Sequence, residues 1–455
     1  MNFSNQKFTI QEWKTCLKVL SALKEDPFDN PDNKVFSGLI AKIYKTAKKA
    51  NKSKLLFHNN ETDIEIIKET TIAKNALNGT TLYSDENKQE ISVSILSRPK
   101  NCYCCNKVYT MSHSFYPRMC FDCATENYDK RFQTIDLSGR KVLLTGGRVK
   151  VGFATALKLL RAKATVVLTT RFPSLALEQL QQEKDYDNWK DNLIIYGLDL
   201  RNLNAIHEFL VFYKSKFSSI DILINNAAQT IKYDEKYYAS LIAKEHKLLQ
   251  IGSRETLLIP NSTDVIPNIK SLDFGETSFN DIRLSRFGLP VDEREKNSWN
   301  SRLDEIGLPE LLEVNLINHI APYILIKELK SLFLNSEFTE RFIVNVTSSE
   351  GMFSYTNKTE CHPHTNMTKA ALNMMTLTSG KDFVNDNIFM TSVDVGWIST
   401  GANEALREKQ FKAGYIPPLD SVDGASRIMD PIIQGIQGSN YWYGVLLKNY
   451  KVTNW

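Results

Sequence analysis

From residue 141 onward, short β-branched runs (142–144, 165–168, 193–196, 222–224 and 342–346) alternate with stretches of helical length. Parallel strands cannot be joined by a tight turn and need a crossover of a dozen or more residues, usually a helix. This rhythm therefore predicts an α/β fold, a doubly wound parallel sheet covered on both faces. At 455 residues, 42% hydrophobic and 24% charged, the chain can carry such a sheet and further modules, and a disordered, collagenous or coiled-coil protein is excluded. The expected division is a helical N-terminal region over 1–100, a small metal ribbon over 101–135 and the sheet domain over 136–455. The polar stretch at about 231–308 is too long for an ordinary connection and reads as an insertion, a lid or a docking surface for a protein partner.

No run approaches 18 uncharged apolar residues, and the opening MNFSNQKFTIQEWK lacks the layout of a signal peptide. A cytoplasmic protein with no membrane contact is expected. Residues 1–131 hold 20 Lys and Arg against 15 Asp and Glu, so the net charge of +4 comes from the front of the chain. There, Ile10, Trp13, Leu17, Leu20 and Leu23, then Val35, Phe36, Leu39, Ile40, Ile43 and Tyr44, recur at helical spacing. The lysines that follow lack interleaved arginine or aromatic residues and read as a solvated helix end, not a nucleic-acid surface.

Five of the seven cysteines fall within residues 102–123. Cys102-x-x-Cys105 and Cys120-x-x-Cys123 form two knuckles that each aim two thiolates at one point, the pattern of a tetrahedral structural zinc site in a reducing compartment. Cys104 and His113 are alternative ligands. A ribbon of this kind beside a basic helix also admits nucleic-acid recognition, as a third and weakest functional class.

The first strand runs into Thr145-Gly146-Gly147-Arg148-Val149-Lys150-Val151-Gly152 and then a helical stretch. A strand, glycine turn and helix let the backbone approach a pyrophosphate and aim helix N–H groups at it. A second strand ends at Arg171 and a third at Asp199 and Leu200. An acidic residue ending the second strand would bind a ribose 2′-OH and repel a 2′-phosphate; Arg171, with Arg148 and Lys150 nearby, favours NADP(H) over NAD(H).

With these residues the chain resembles the short-chain dehydrogenase/reductase family, whose opening motif is TGxxxGxG. Asn225-Asn226-Ala227-Ala228 is similar to the family's NNAG. The resemblance implies that Asp199 holds the adenine, that Asn315 is the family's catalytic asparagine and Ser348 its catalytic serine, and that the segment through Gly396 to Thr400 lies beside the nicotinamide. Lys369 fits the lysine of the family's YxxxK element, where it binds the nicotinamide ribose, but the tyrosine position is Thr365, and Lys150 stands where the family has its middle glycine. A threonine alcohol is a far weaker acid than a phenol, so His362, His364, Cys361 and Tyr355 are alternative proton donors, and Thr365 takes an altered role. The resemblance implies an NADP(H)-dependent oxidoreductase acting on a small carbonyl or alcohol, often as a homo-oligomer. The alternative is a nucleotide-binding sensor or scaffold without turnover.

Overall fold

The computed structural model describes residues 8–80, 88, 90–233, 235–251, 258–259, 283–356, 358–399 and 404–455. The chain divides into two compact units, residues 1–63 and 64–455. The first is helical, as its periodicity requires. Helix α1 (Ile10–Leu23) opens with a capping box in which Thr9 and Glu12 satisfy each other's backbone, and α2 (Asn33–Lys68) crosses the division.

The second unit begins with α3 (Thr71–Leu77), followed by an antiparallel hairpin of β1 (Val93–Asn101) and β2 (Val108–His113). The polarity of residues 75–100 predicts a connector, yet β1 lies there. Its alternation is invisible in the sequence because Leu96 alone among its side chains is buried. Helix α4 (Phe121–Arg131) completes the cysteine module.

The large sheet starts at β3 (Lys141–Thr145) and, through α5 (Lys150–Arg161), reaches β4 (Thr165–Thr170). Helices α6 (Pro173–Leu180) and α7 (Tyr186–Trp189) lead to β5 (Leu193–Gly197), and α8 (Leu203–Lys216) to β6 (Ile222–Asn225). Then follow α9 (Glu235–Ile251), β7 (Leu258–Ile259), α10 (Leu308–Asn315), α11 (Ala321–Leu334) and β8 (Arg341–Thr347). Helix α12 (Pro363–Phe383), β9 (Ile388–Asp394), α13 (Glu404–Lys412), α14 (Ser421–Ile436), β10 (Val445–Lys448) and β11 (Lys451–Thr453) complete the chain. The spatial order is β11-β10-β9-β8-β6-β3-β4-β5-β7, and every pair is parallel except β10 with β11. The order of winding reverses between β3 and β6, which opens a crevice at the strands' carboxyl ends.

Successive residues of a strand face opposite sides of a sheet. Val142, Leu144, Val166 and Leu168 accordingly join the layer made with α5 and α14, whereas Leu143, Val167 and Leu223 join the layer made with α8 and α11. The described parts of the insertion belong to this domain. Leu241 of α9 packs against Phe172 and Leu175, and the buried Glu245 carboxylate accepts from the N–H groups of Ser174 (2.6 Å) and Leu175 (2.9 Å), capping α6. Among the described residues no helix is long and apolar enough to cross a membrane.

Helix α14 is buried along almost its whole length. At its start the fully buried Arg131, the last residue of α4, donates to Asp420 at 2.7 and 3.0 Å and lies 2.9 Å from Asp423. Tyr116 donates to Asp423 at 2.6 Å, and Lys130 pairs with Asp430 at 2.6 Å. Removing one partner of a buried ion pair strands the other, at a cost of about 3–5 kcal/mol. Arg131→Met should lose that much unfolding free energy in urea; a loss below about 1 kcal/mol would mean that the two carboxylates are effectively solvated.

Candidate active site

The glycine turn between β3 and α5 is defined by close approaches. Gly146 has φ +70°, and a Cβ there would stand 2.9 Å from Ala227; a Cβ on Gly147 would strike Leu168 at 2.4 Å, and one on Gly152 would meet the Gly146 carbonyl oxygen at 2.0 Å. The Asn226 side chain donates to the carbonyls of Thr145 (3.1 Å) and Gly146 (2.9 Å), while the Thr145 hydroxyl accepts from the N–H groups of Asn226 and Ala227, each at 3.1 Å. The ends of β3 and β6 are thereby tied into one edge, with Ala228 exposed beside it. Lys150 takes up φ +53°, the left-handed conformation that glycine adopts without strain. Its ammonium lies 5.0 Å over the Phe287 ring, and burial, together with the Arg286 charge, pulls its pKa down to about 8. Val151 packs partly buried at the start of α5.

Three further cations border the cradle. Arg148 lies 5.3 Å over Phe172, and Arg171 lies 5.6 Å from that ring and 4.6 Å from the ring of Tyr238. Arg286 is the third. Arg171 is thus half-buried among aromatic rings, and among the described residues it forms no salt bridge. Asp199 is buried, as is Leu200, but its carboxylate accepts from the Arg201 backbone N–H and Nε, both at 3.0 Å. It is therefore committed within the chain, through an arginine that the sequence reading did not single out.

At the ends of β8 and β9 the remaining candidates come together. The Lys369 ammonium, buried in α12, donates to the Val346 carbonyl of β8 at 2.8 Å, and its pKa is pulled down to about 8 by burial, against the opposing charges of Glu350 and Asp394. Thr365 lies one helical turn before it; it is 2% exposed, and its hydroxyl has no hydrogen-bond partner among the described residues. The turn after Ser348 approaches α12 closely because Gly351 has no side chain: a Cβ there would stand 2.7 Å from the Lys369 backbone. Neighbouring hydroxyls are otherwise occupied or sealed. Ser349 donates to Asp394 at 3.0 Å and accepts from Lys448 at 2.7 Å, and Thr347 is buried, whereas the Ser348 side chain makes no bond to the turn it opens. Gly396 follows with φ +82°, its N–H donating to Asp394 at 2.9 Å. Thr400 lies outside the described residues.

Asn315 closes α10, just before a bend of the helix. Its amide donates back to Leu311 of its own helix at 2.7 Å. A π-helical turn, Leu316–Ile320, then carries the buried Asn318 inward, where it donates to Gln229 O and Thr368 Oγ1 (both 2.9 Å) and accepts from Gln229 N at 2.8 Å. The two histidines are likewise committed: His362 Nδ1 lies 2.8 Å from Trp299 O with its ring stacked on that indole, and His364 Nε2 lies 2.9 Å from Thr230 O.

In the cysteine module, Cys102 and Cys105 lie between β1 and β2, Cys120 caps α4 and Cys123 sits in its first turn. The four sulfurs lie within 4.8 Å of one another, Cys105 and Cys120 at 3.7 Å. Metal–sulfur bonds of about 2.3 Å in a tetrahedron put the sulfurs about 3.8 Å apart, so the set fits one tetrahedral ion. Cys104 instead contacts Met119 Sδ at 3.8 Å. His113 accepts from Phe115 N at 3.0 Å, and burial pulls its pKa down to about 4.

The short chain dehydrogenase family model matches residues 140–244. An uncharacterised protein of Acanthamoeba polyphaga mimivirus is 32% identical over 344 residues, 73% of this chain and 71% of its own. The (+)-neomenthol dehydrogenase of Capsicum annuum is 33% identical over 91 residues, and the NADP-dependent 3-hydroxy acid dehydrogenase of Escherichia coli K12 34% identical over 100. These matches take in 20% and 22% of this chain, and only 29% and 38% of the two enzymes' own length. Among solved structures, the NADPH-bound carbonyl reductase from chicken fatty liver superposes with a TM-score of 0.43 at 20% identity, covering 70% of this chain and 100% of that one. The glycine turn and strands β3 to β6 thus lie inside the matched segment, which is similar to the short chain dehydrogenase family over residues 140–244.

Proposed function

We propose that the chain is an NADP(H)-dependent oxidoreductase acting on a small carbonyl or alcohol, and that its four-cysteine cluster holds a structural zinc ion. The observation that carries this reading is a convergence at one edge of the sheet: the glycine cradle after β3, the Ser348 hydroxyl after β8 and the buried Lys369 ammonium at 2.8 Å from Val346 O. The cradle at the start of α5 and Arg171 at the end of β4 would take the pyrophosphate and the adenosine half of a dinucleotide. That leaves the other half for the ends of β8 and β9. Arg148, Lys150 and Arg171 suit a 2′-phosphate, and the E. coli relative is named as NADP-dependent.

Bound nicotinamide supplies the hydride; the chain must orient the substrate and move a proton. Thr365 is too weak an acid, and both nearby histidines are held by backbone carbonyls. Lys369, with its pKa near 8, is an acid of suitable strength around neutral pH. In the reducing direction it would give its proton to the substrate oxygen, Ser348 would donate a hydrogen bond to that oxygen, and water would reprotonate the amine. Thr365, whose hydroxyl has no partner among the described residues, lies one helical turn from Lys369 and would offer a further hydrogen bond. The four thiolates leave no open coordination position, so zinc would clamp the fold rather than polarise substrate.

Titration with NADPH and NADH, followed by nicotinamide fluorescence, tests the nucleotide site. NADPH should bind more tightly, and Arg171→Asp should weaken it about tenfold or more, a difference of about 1.4 kcal/mol, while sparing NADH. Binding of neither nucleotide would mean that Lys150 closes the cradle and that the domain is a scaffold. Lys369 adds a pH-dependent test. Its folded pKa lies below the unfolded value of about 10.5, so burying the charged lysine costs stability in full below about pH 8, and the cost fades between about 8 and 10.5 as the unfolded lysine also loses its proton. Lys369→Met should abolish turnover yet raise the unfolding free energy by about 1–3 kcal/mol at pH 7, after allowing for the lost hydrogen bond. The gain should shrink as the pH approaches 10.5; a gain independent of pH would contradict the assignment.

A further inference from the structure

We propose that the cysteine module positions the segment after β9 through Tyr103 and Arg118, and so couples the nicotinamide end of the site to the metal cluster. The inference rests on the nucleotide reading above for its functional consequence and on separate contacts for its structure. Tyr103 lies inside the first knuckle, between Cys102 and Cys104, and its hydroxyl accepts from the Trp397 N–H at 2.8 Å. The preceding Gly396 is what admits it: a Cβ there would stand 3.1 Å from that hydroxyl and 2.5 Å from Leu419.

Arg118 grips the same residue from the other side. Its guanidinium lies 5.0 Å over the Trp397 ring and 4.8 Å over Tyr415, and its carbonyl accepts from the Tyr103 N–H at 2.9 Å. Both contacts come from residues flanked by the cysteine pairs. Around them Ile398, Leu419, Val395 and Val151 share one apolar cluster with Cys102, Cys104, Cys120 and Cys123. Because Val151 opens α5, this cluster reaches both the glycine cradle and the segment after β9.

Two thiolates three residues apart that share one ion fix the knuckle backbone, and a metal site of this kind is folded only when loaded. The position of the Tyr103 hydroxyl, and with it the Trp397 backbone, therefore depends on the cluster being intact. Tyr103 and Arg118 touch no reacting atom; they are positioning residues.

The test uses the full-length, zinc-replete chain and its Tyr103→Phe and Arg118→Met variants, with zinc content measured for each. Two nucleotide probes separate the ends of the site: NADPH, and 2′,5′-ADP, which lacks the nicotinamide. Tyr103→Phe should keep its zinc and its affinity for 2′,5′-ADP while losing about 3- to 10-fold in affinity for NADPH, the effect of one hydrogen bond. Arg118→Met should behave in the same direction. Hydrogen–deuterium exchange at the Trp397 amide, which needs no nucleotide, should quicken in Tyr103→Phe and on zinc chelation. Equal losses for both probes would indicate general damage and overturn the proposal, as would unchanged exchange at Trp397 with zinc retained. A wild-type chain that binds neither probe would overturn the nucleotide reading alone, and the exchange measurement would still decide whether the module holds the segment.

Discussion

The buried start of α14 determines where the other parts of the larger unit can go. A helix N-terminus leaves unpaired N–H groups, and here Asp420 accepts from Val422 N and Asp423 N while Asp423 accepts from Asp420 N. Two carboxylates placed that deeply require a counter-charge, which Arg131 brings from the end of α4. One turn further on, Gly424 lets Val151 and Ile398 press against the helix: a Cβ on Gly424 would stand 2.6 Å from Ile398 and 2.8 Å from Val151. The cysteine module, the start of the cradle helix and the segment after β9 therefore meet at one short stretch of backbone. The module is part of the α/β unit, since its helix supplies the charge that permits α14 to be buried.

Elements with a strong local signal were legible in the sequence. The five β-branched runs are β3, β4, β5, β6 and β8, because strands buried on both faces must be apolar throughout. The glycine turn was legible for a similar reason, as its close approaches exclude side chains. β1 was not, because a hairpin with one buried side chain carries no alternation, and β7 pairs over only two residues, Leu258–Ile259.

Within the site, some contacts depend on geometry that a linear motif does not encode. Asn315 sits in the expected motif, but the π-helical turn after it changes the phase of the helix and brings Asn318 to Gln229 and Thr368. Glu245 was missed because its partners lie in another element's backbone: a carboxylate capping α6 from 71 residues away leaves no local signature. A signal did exist for Asn318, as a polar residue inside the apolar stretch that leads into α11.

The two lysines give the site its electrostatic character. Burying an ammonium is unfavourable, and a chain selected for stability alone would place an apolar side chain where Lys369 contacts a strand carbonyl, and glycine where Lys150 has φ +53°. Both positions lie at the carboxyl edge of the sheet, and both ammonium groups are held near pKa 8. Perturbed groups gathered at one edge mark that edge as the candidate site. On the reading proposed above, the Lys369 ammonium beside the Val346 carbonyl is itself the acid, so the Thr365 hydroxyl one helical turn away has no proton to supply.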